Sequence, residues 1–187
     1  MARKKVIYIH GFNSSPSSAK AQLVGQYLSQ FNLEYHVPLL THEPLQALVT
    51  LEHMIDSNTV LIGSSLGGYY ATYLSQKYQV PAVVVNPAVA PFGLMKDFLG
   101  PHYNPYQDYH YQLTMQHVEQ LQLLYLPTLP HPQLLWLLQQ SGDEVLDFQQ
   151  AVKYYKNCRQ VVEFGGDHSF IGFERYFSQI VQFLKIT

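Results

Sequence analysis

At 187 residues the chain is long enough to bury one substantial core and short for two domains. Hydrophobic residues make up 47% and charged residues 13%, a balance that excludes a disordered chain. The formal net charge of -2 provides no cationic excess for neutralising phosphates, so nucleic acid is not an expected partner.

Cys158 is the single cysteine, which rules out an internal disulfide and fits a reducing compartment. After Arg3, Lys4 and Lys5 the apolar run Val6-Ile7-Tyr8-Ile9 stops at His10-Gly11. That run is too short for a signal peptide, and no stretch is long and apolar enough to span a bilayer. The expectation is a soluble cytoplasmic protein.

Residues 5–9 form a β-branched and aromatic run, read as a buried parallel strand. A loop follows from His10 to Ser18, where Ser17 or Ser18 can cap a helix carrying Leu23, Tyr27, Leu28 and Phe31. Residues 33–37 read as a second strand, stopped by Pro38. Residues 43–56 read as an amphipathic helix, residues 59–62 as a third strand, and residues 66–78 as another helix. Residues 81–86 read as a fourth strand closed by Pro87. Regular patterning then lapses. Residues 91–131 are rich in Pro, Tyr, Gln and His, with a possible helix over 113–124, and are read as a cap or lid insertion. Residues 134–138 resume the sheet. Asp147 with Gln150 suggests a capping box for a helix through Tyr155. Residues 160–164 read as the last strand, and a final helix carries Phe173, Phe177, Ile180 and Leu184. Strands alternating with helices predict an α/β fold: a parallel sheet with helices on both faces and all strand-to-helix loops along one edge.

Gly63-Ser64-Ser65-Leu66-Gly67 matches G-x-S-x-G at the junction of a strand and a helix. Exposing a hydroxyl at a strand tip requires a sharp reversal, which brings the residues two before and two after the nucleophile together. Those residues are Gly63 and Gly67 for Ser65, but Ile62 and Leu66 for Ser64. Ser65 is therefore the expected nucleophile.

Asp143 and His168 follow the next-to-last and last strands, in the order serine, acid, histidine. In this arrangement His168 accepts the Ser65 proton, and Asp143 orients the imidazole. Backbone N–H groups of Leu66 and Phe12 are the expected oxyanion donors. Asp143 competes with Glu144 and with Asp147, which is better explained as a helix cap. His168 competes with eight other histidines, of which only His10 also lies on a loop at the expected edge. His10 is expected to shape its loop rather than to act itself.

His110 and His117 are seven apart and can share a helix face, but there is no H-E-x-x-H motif and no cysteine pair. No metal is expected. Neither G-x-G-x-x-G after the first strand nor G-x-x-x-x-G-K-[ST] is present, so no cofactor is expected.

Five blocks carry a wider resemblance: residues 8–16, 63–71, 83–88, 142–147 and 165–168. Through them the chain resembles the small bacterial YqiA/YcfP-type esterases of the α/β-hydrolase superfamily. The resemblance implies a minimal α/β-hydrolase fold lacking the first strands of the full fold. It implies esterase activity on acyl esters and acyl-CoA thioesters. Ser65, Asp143 and His168 match the family's triad positions. The expected partner is thus a small acyl ester or thioester substrate. Two other functions use the same scaffold: a non-catalytic binding module and an acyltransferase. The sequence does not specify an oligomeric state.

Overall fold

The computed structural model describes residues 3–186. Strands β1 (Lys4–Ile9), β2 (Leu33–His36), β3 (Thr59–Ser64), β4 (Ala82–Val85), β7 (Leu135–Gln140) and β8 (Arg159–Glu163) form one six-stranded sheet. Its order is β2-β1-β3-β4-β7-β8, and every neighbouring pair is parallel. β3, β4 and β7 are buried along their whole length, while β2 and β8 at the edges are only partly covered. This is why the central strands read as unbroken apolar runs.

Within those runs, alternate side chains serve opposite faces. Ile7, Ile9, Leu61, Val84 and Leu137 pack on one side, against Leu48 and Leu51 of α2 (Pro44–Glu52) and Leu74 of α3 (Leu66–Tyr78). Val6, Tyr8, Ile62, Val85 and Trp136 pack on the other. There they meet Val24 and Leu28 of α1 (Ala19–Leu28) and Ile180 of α7 (Phe177–Phe183). Each fully buried aliphatic side chain stabilises the fold by about 1.5–3 kcal/mol. The sheet therefore has a helical layer on each face.

From β1 the chain crosses to β2 on one side, whereas from β3 it crosses to β4 on the other. The strand order thus reverses between β1 and β3. Loops at the C-terminal ends of these two strands diverge and leave a crevice, the usual ligand position in open parallel sheets.

Residues 91–131 contain α4 (Pro91–Met95), a short 3₁₀ turn (Lys96–Phe98), an antiparallel hairpin and α5 (Met115–Leu123). The hairpin pairs β5 (Gly100–Asn104) with β6 (Tyr109–Leu113) in a register that sets Tyr103 opposite His110. It was not anticipated from the sequence. Its period-2 signal lies in Tyr111 and Leu113, which are buried, and in His110 and Gln112, which are exposed.

His110 lies in β6 and His117 in α5, so they do not share a helix face. α2 ends at Glu52 rather than near residue 56. Ser18 occupies the N-cap position of α1, but its hydroxyl makes no capping bond. Asp147 caps α6 (Phe148–Tyr154) by accepting from Gln149 N at 3.0 Å. The last expected helix is split into a 3₁₀ turn (Phe173–Tyr176) and α7. No helix among the described residues is long and apolar enough to cross a membrane.

Candidate active site

Ser65 stands between β3 and α3 with φ 55° and ψ -124°. A non-glycine residue held there costs about 1–3 kcal/mol and must be fixed by its surroundings. Three bonds do so. Ser65 N donates to Val85 O at 3.1 Å, and Ser65 O accepts from Gly68 N at 2.9 Å and from Ala88 N at 3.0 Å. A Cβ on Gly63 would lie 2.3 Å from Gly67 O, and one on Gly67 would lie 2.0 Å from Ile9 O. Both flanking positions therefore require glycine, as the spacing predicts. Ser64 is buried at the end of β3.

His168 Nε2 lies 3.1 Å from Ser65 Oγ. Its Nδ1 is 2.9 Å from each oxygen of Asp143. With the Nδ1 proton donated to the carboxylate, the Nε2 lone pair faces the serine hydroxyl. The Asp143 side chain is fully covered, and its Oδ1 also accepts from Val145 N and Leu146 N, both at 2.9 Å. Burial alone would raise its pKa. The bonds from His168, Leu146 and Val145 outweigh that effect and hold the carboxyl below its usual range. The structure thus brings Ser65, His168 and Asp143 into one hydrogen-bonded chain. Such a chain can take a proton from the hydroxyl and return it to a leaving group.

The loops carrying these groups are tied by residues that the motifs do not reveal. Asn86, fully buried after β4, donates through Nδ2 to Asp167 O at 2.9 Å and His168 O at 3.1 Å. Its Oδ1 accepts from Gln140 N at 2.9 Å. Gln140 Oε1 accepts from Asp167 N and Ile171 N. Glu144 accepts from His168 N at 2.9 Å. The one sequence signal was a polar residue closing each apolar strand.

Leu66 N opens α3, where unpaired N–H groups and the helix dipole favour negative charge. Phe12 lies in the loop after β1. Neither N–H donates to a backbone acceptor outside the regular elements among the described residues. The loop lies against the nucleophile, since a Cβ on Gly11 would lie 3.2 Å from Ser65 Cβ. His10 is buried, and its Nδ1 is 3.0 Å from Gly11 O. Burial pushes its pKa below the ordinary value despite that bond, which favours the neutral ring.

Ser65, Leu66, Phe12 and His168 open onto a mostly apolar cavity of about 280 Å³ walled by Leu94, Met95, Phe98 and Leu146. Leu94, Val145 and Leu146 also line an adjoining groove that carries Asp97, Asp147 and Gln150.

His42, Glu43 and His117 place potential metal-ligand atoms within 4.8 Å of one another. The donor pattern opposes a metal. His117 Nδ1 accepts from Thr114 N at 3.0 Å, so the proton of the neutral ring sits on Nε2. That nitrogen faces Glu43 at 3.4 Å and has no lone pair to offer a cation. His117 instead completes a capping box with Thr114 at the start of α5.

The model of an uncharacterised protein family, UPF0227, matches residues 5–185. Solved structures are similar in fold. Mouse alpha/beta hydrolase domain-containing protein 10 superposes with a TM-score of 0.74 at 14% identity, over 97% of this chain and 89% of that one. Est1E from Butyrivibrio proteoclasticus, solved with ferulic acid bound, gives 0.67 at 15% identity, over 97% and 88%. An esterase domain from a Rhodothermus marinus protein gives 0.65 at 15% identity, over 98% and 85%. At these identities the likeness establishes the α/β-hydrolase fold.

Proposed function

The chain belongs to the uncharacterised protein family UPF0227, the YqiA/YcfP family, and we propose that it is a serine hydrolase of acyl esters. The observation that carries this reading is the 3.1 Å approach of His168 Nε2 to Ser65 Oγ, with Asp143 against Nδ1 at 2.9 Å. Ser65 Oγ attacks the acyl carbonyl carbon as its proton passes to His168 Nε2. The carbonyl oxygen takes up the electron pair and is held by the N–H groups of Leu66 and Phe12. When the bond to the leaving group breaks, His168 protonates the departing oxygen. Water then attacks the acyl-enzyme, giving up a proton to His168. Collapse of that second intermediate releases the acid and returns the proton to Ser65. No step requires a metal or organic cofactor.

In this reading the apolar cavity receives the acyl group, and residues 91–131 cap it within a single domain. The leaving group extends toward the groove of Asp97, Asp147 and Gln150. The same steps cleave thioesters, so acyl-CoA belongs to the proposed substrate range. Carboxylates along the groove favour esters of neutral alcohols over a polyphosphate leaving group.

A fluorophosphonate probe tests the reading, because it reacts far faster with an activated serine than with an ordinary hydroxyl. The expected outcome is labelling of the peptide that contains Ser65, absent in Ser65→Ala and slowed at least about 100-fold in His168→Ala. A folded wild-type protein that stays unlabelled would favour a non-catalytic binding role.

A further inference from the structure

The loop after β1 carries the Phe12 N–H, yet among the described residues no backbone–backbone hydrogen bond outside the regular elements involves residues 11–14. Phe12 and Asn13 form a tight turn, and side chains supply the hydrogen bonds that tie it to the rest of the molecule. Asn13 has φ 52°, and its amide is engaged at both ends by the hairpin. Nδ2 donates to Tyr103 O at 3.0 Å, and Oδ1 accepts from the Tyr111 hydroxyl at 3.3 Å. Because a carbonyl only accepts, this pairing fixes which way the amide faces.

The Phe12 ring meets His102 and Tyr111 edge-on, at centroid distances of 6.0 and 6.4 Å. Tyr111 is itself buried between His42, stacked at 4.3 Å, and His102, stacked at 5.4 Å. His102 Nε2 is also 2.5 Å from the carbonyl oxygen of Phe98, a residue that walls the apolar cavity. The hairpin therefore grips the loop from one side while the nucleophile lies against it at Gly11 on the other.

We propose that the β5–β6 hairpin sets the oxyanion donor, with Asn13 and Tyr111 as positioning residues that hold the Phe12 N–H toward the reacting carbonyl oxygen. The inference rests on the serine hydrolase reading and assigns the Tyr-rich insertion a second role beside covering the cavity. Loss of one oxyanion donor costs about 100- to 1000-fold in kcat, and a misdirected donor forfeits part of that. An N–H displaced by a fraction of an ångström weakens transition-state binding while leaving the apolar acyl contacts in place.

The test uses the full-length protein with p-nitrophenyl butyrate. Asn13→Gly removes the amide but tolerates the positive φ. Tyr111→Phe removes only the hydroxyl and keeps the ring stack. The expected kcat falls about 10- to 100-fold in Asn13→Gly and about 3- to 10-fold in Tyr111→Phe, with KM within about twofold of wild type. Inhibition by butylboronic acid, whose serine adduct is tetrahedral and anionic, should weaken by the same factors. Inhibition by 1-butanol, which fills the acyl cavity but has no carbonyl or anionic oxygen, should not change. Wild-type kcat/KM in both variants would overturn the inference, as would equal weakening of 1-butanol and boronate, which marks a merely structural contact. Wild-type turnover that disappears in Ser65→Ala keeps the two claims apart. If that turnover is present and both variants match it, only the hairpin's role falls. If it is absent, the hydrolase reading falls and this inference with it.

Discussion

Ser65 has a backbone conformation that a serine rarely adopts, and its surroundings leave it no alternative. The carbonyl of Gly67 closes on Gly63, and Gly67 itself lies against the main chain of β1 at Ile9. The neighbour at Gly67 is backbone, so rotamer changes cannot relieve an added methyl. Gly67→Ala should destabilise the protein by about 2–4 kcal/mol and lower its melting temperature by roughly 5–15 °C. It should also abolish fluorophosphonate labelling; a variant with wild-type melting and labelling would refute this account of the elbow. The same crowding made the nucleophile legible, because the G-x-S-x-G spacing states a steric requirement in one dimension. Asp143 and His168 were legible for a related reason: each directly follows a strand and so lands at the same sheet edge. Asn86, Gln140 and Glu144 were not. Their partners lie 24 to 82 positions away, and no local spacing encodes such a bond.

At the scale of elements, strands buried on both faces declare themselves as apolar runs ended by glycine, proline or a polar turn. β1, β3, β4 and β7 are of this kind, and the helix after the elbow runs over residues 66–78 as expected. The β5–β6 hairpin is different. Its buried positions are Asn104, Tyr111 and Leu113, and the others are Gly, Pro, His, Tyr and Gln, which read as loop by composition. Aromatic contacts across long sequence separations stabilise it, as the His42–Tyr111 stack shows. The residues least legible in sequence are therefore the ones that reach back to the loop beside the nucleophile.

Across the whole molecule, a parallel sheet with a strand-order reversal gathers the loops after β1 and β3 at one crevice, while β7 and β8 deliver the acid and the histidine. That gathering places histidines where water is scarce. Burial lowers the pKa of His10, and burial together with the neighbouring His117 lowers that of His42, from an ordinary value of 6.5. At high pH both states are neutral at these positions, and no effect arises. As pH falls below 6.5 the unfolded chain binds protons more readily than the folded one, so stability declines until the lowered folded values are reached. The slope cannot exceed about 1.4 kcal/mol per pH unit for each proton. Urea unfolding at about pH 8 and about pH 5.5 should show a lower midpoint at the acidic pH, and His10→Gln should reduce that difference. An equal midpoint at both values would contradict the burial argument.

The most direct test of the account is steady-state hydrolysis of p-nitrophenyl butyrate by wild type and Ser65→Ala, with folding of both verified by circular dichroism. The account predicts measurable turnover by wild type and a loss of at least about 10⁴-fold in the variant, because removing the nucleophile leaves only the residual effect of the remaining site. Equal turnover by the two proteins would contradict the assignment of Ser65 as the nucleophile.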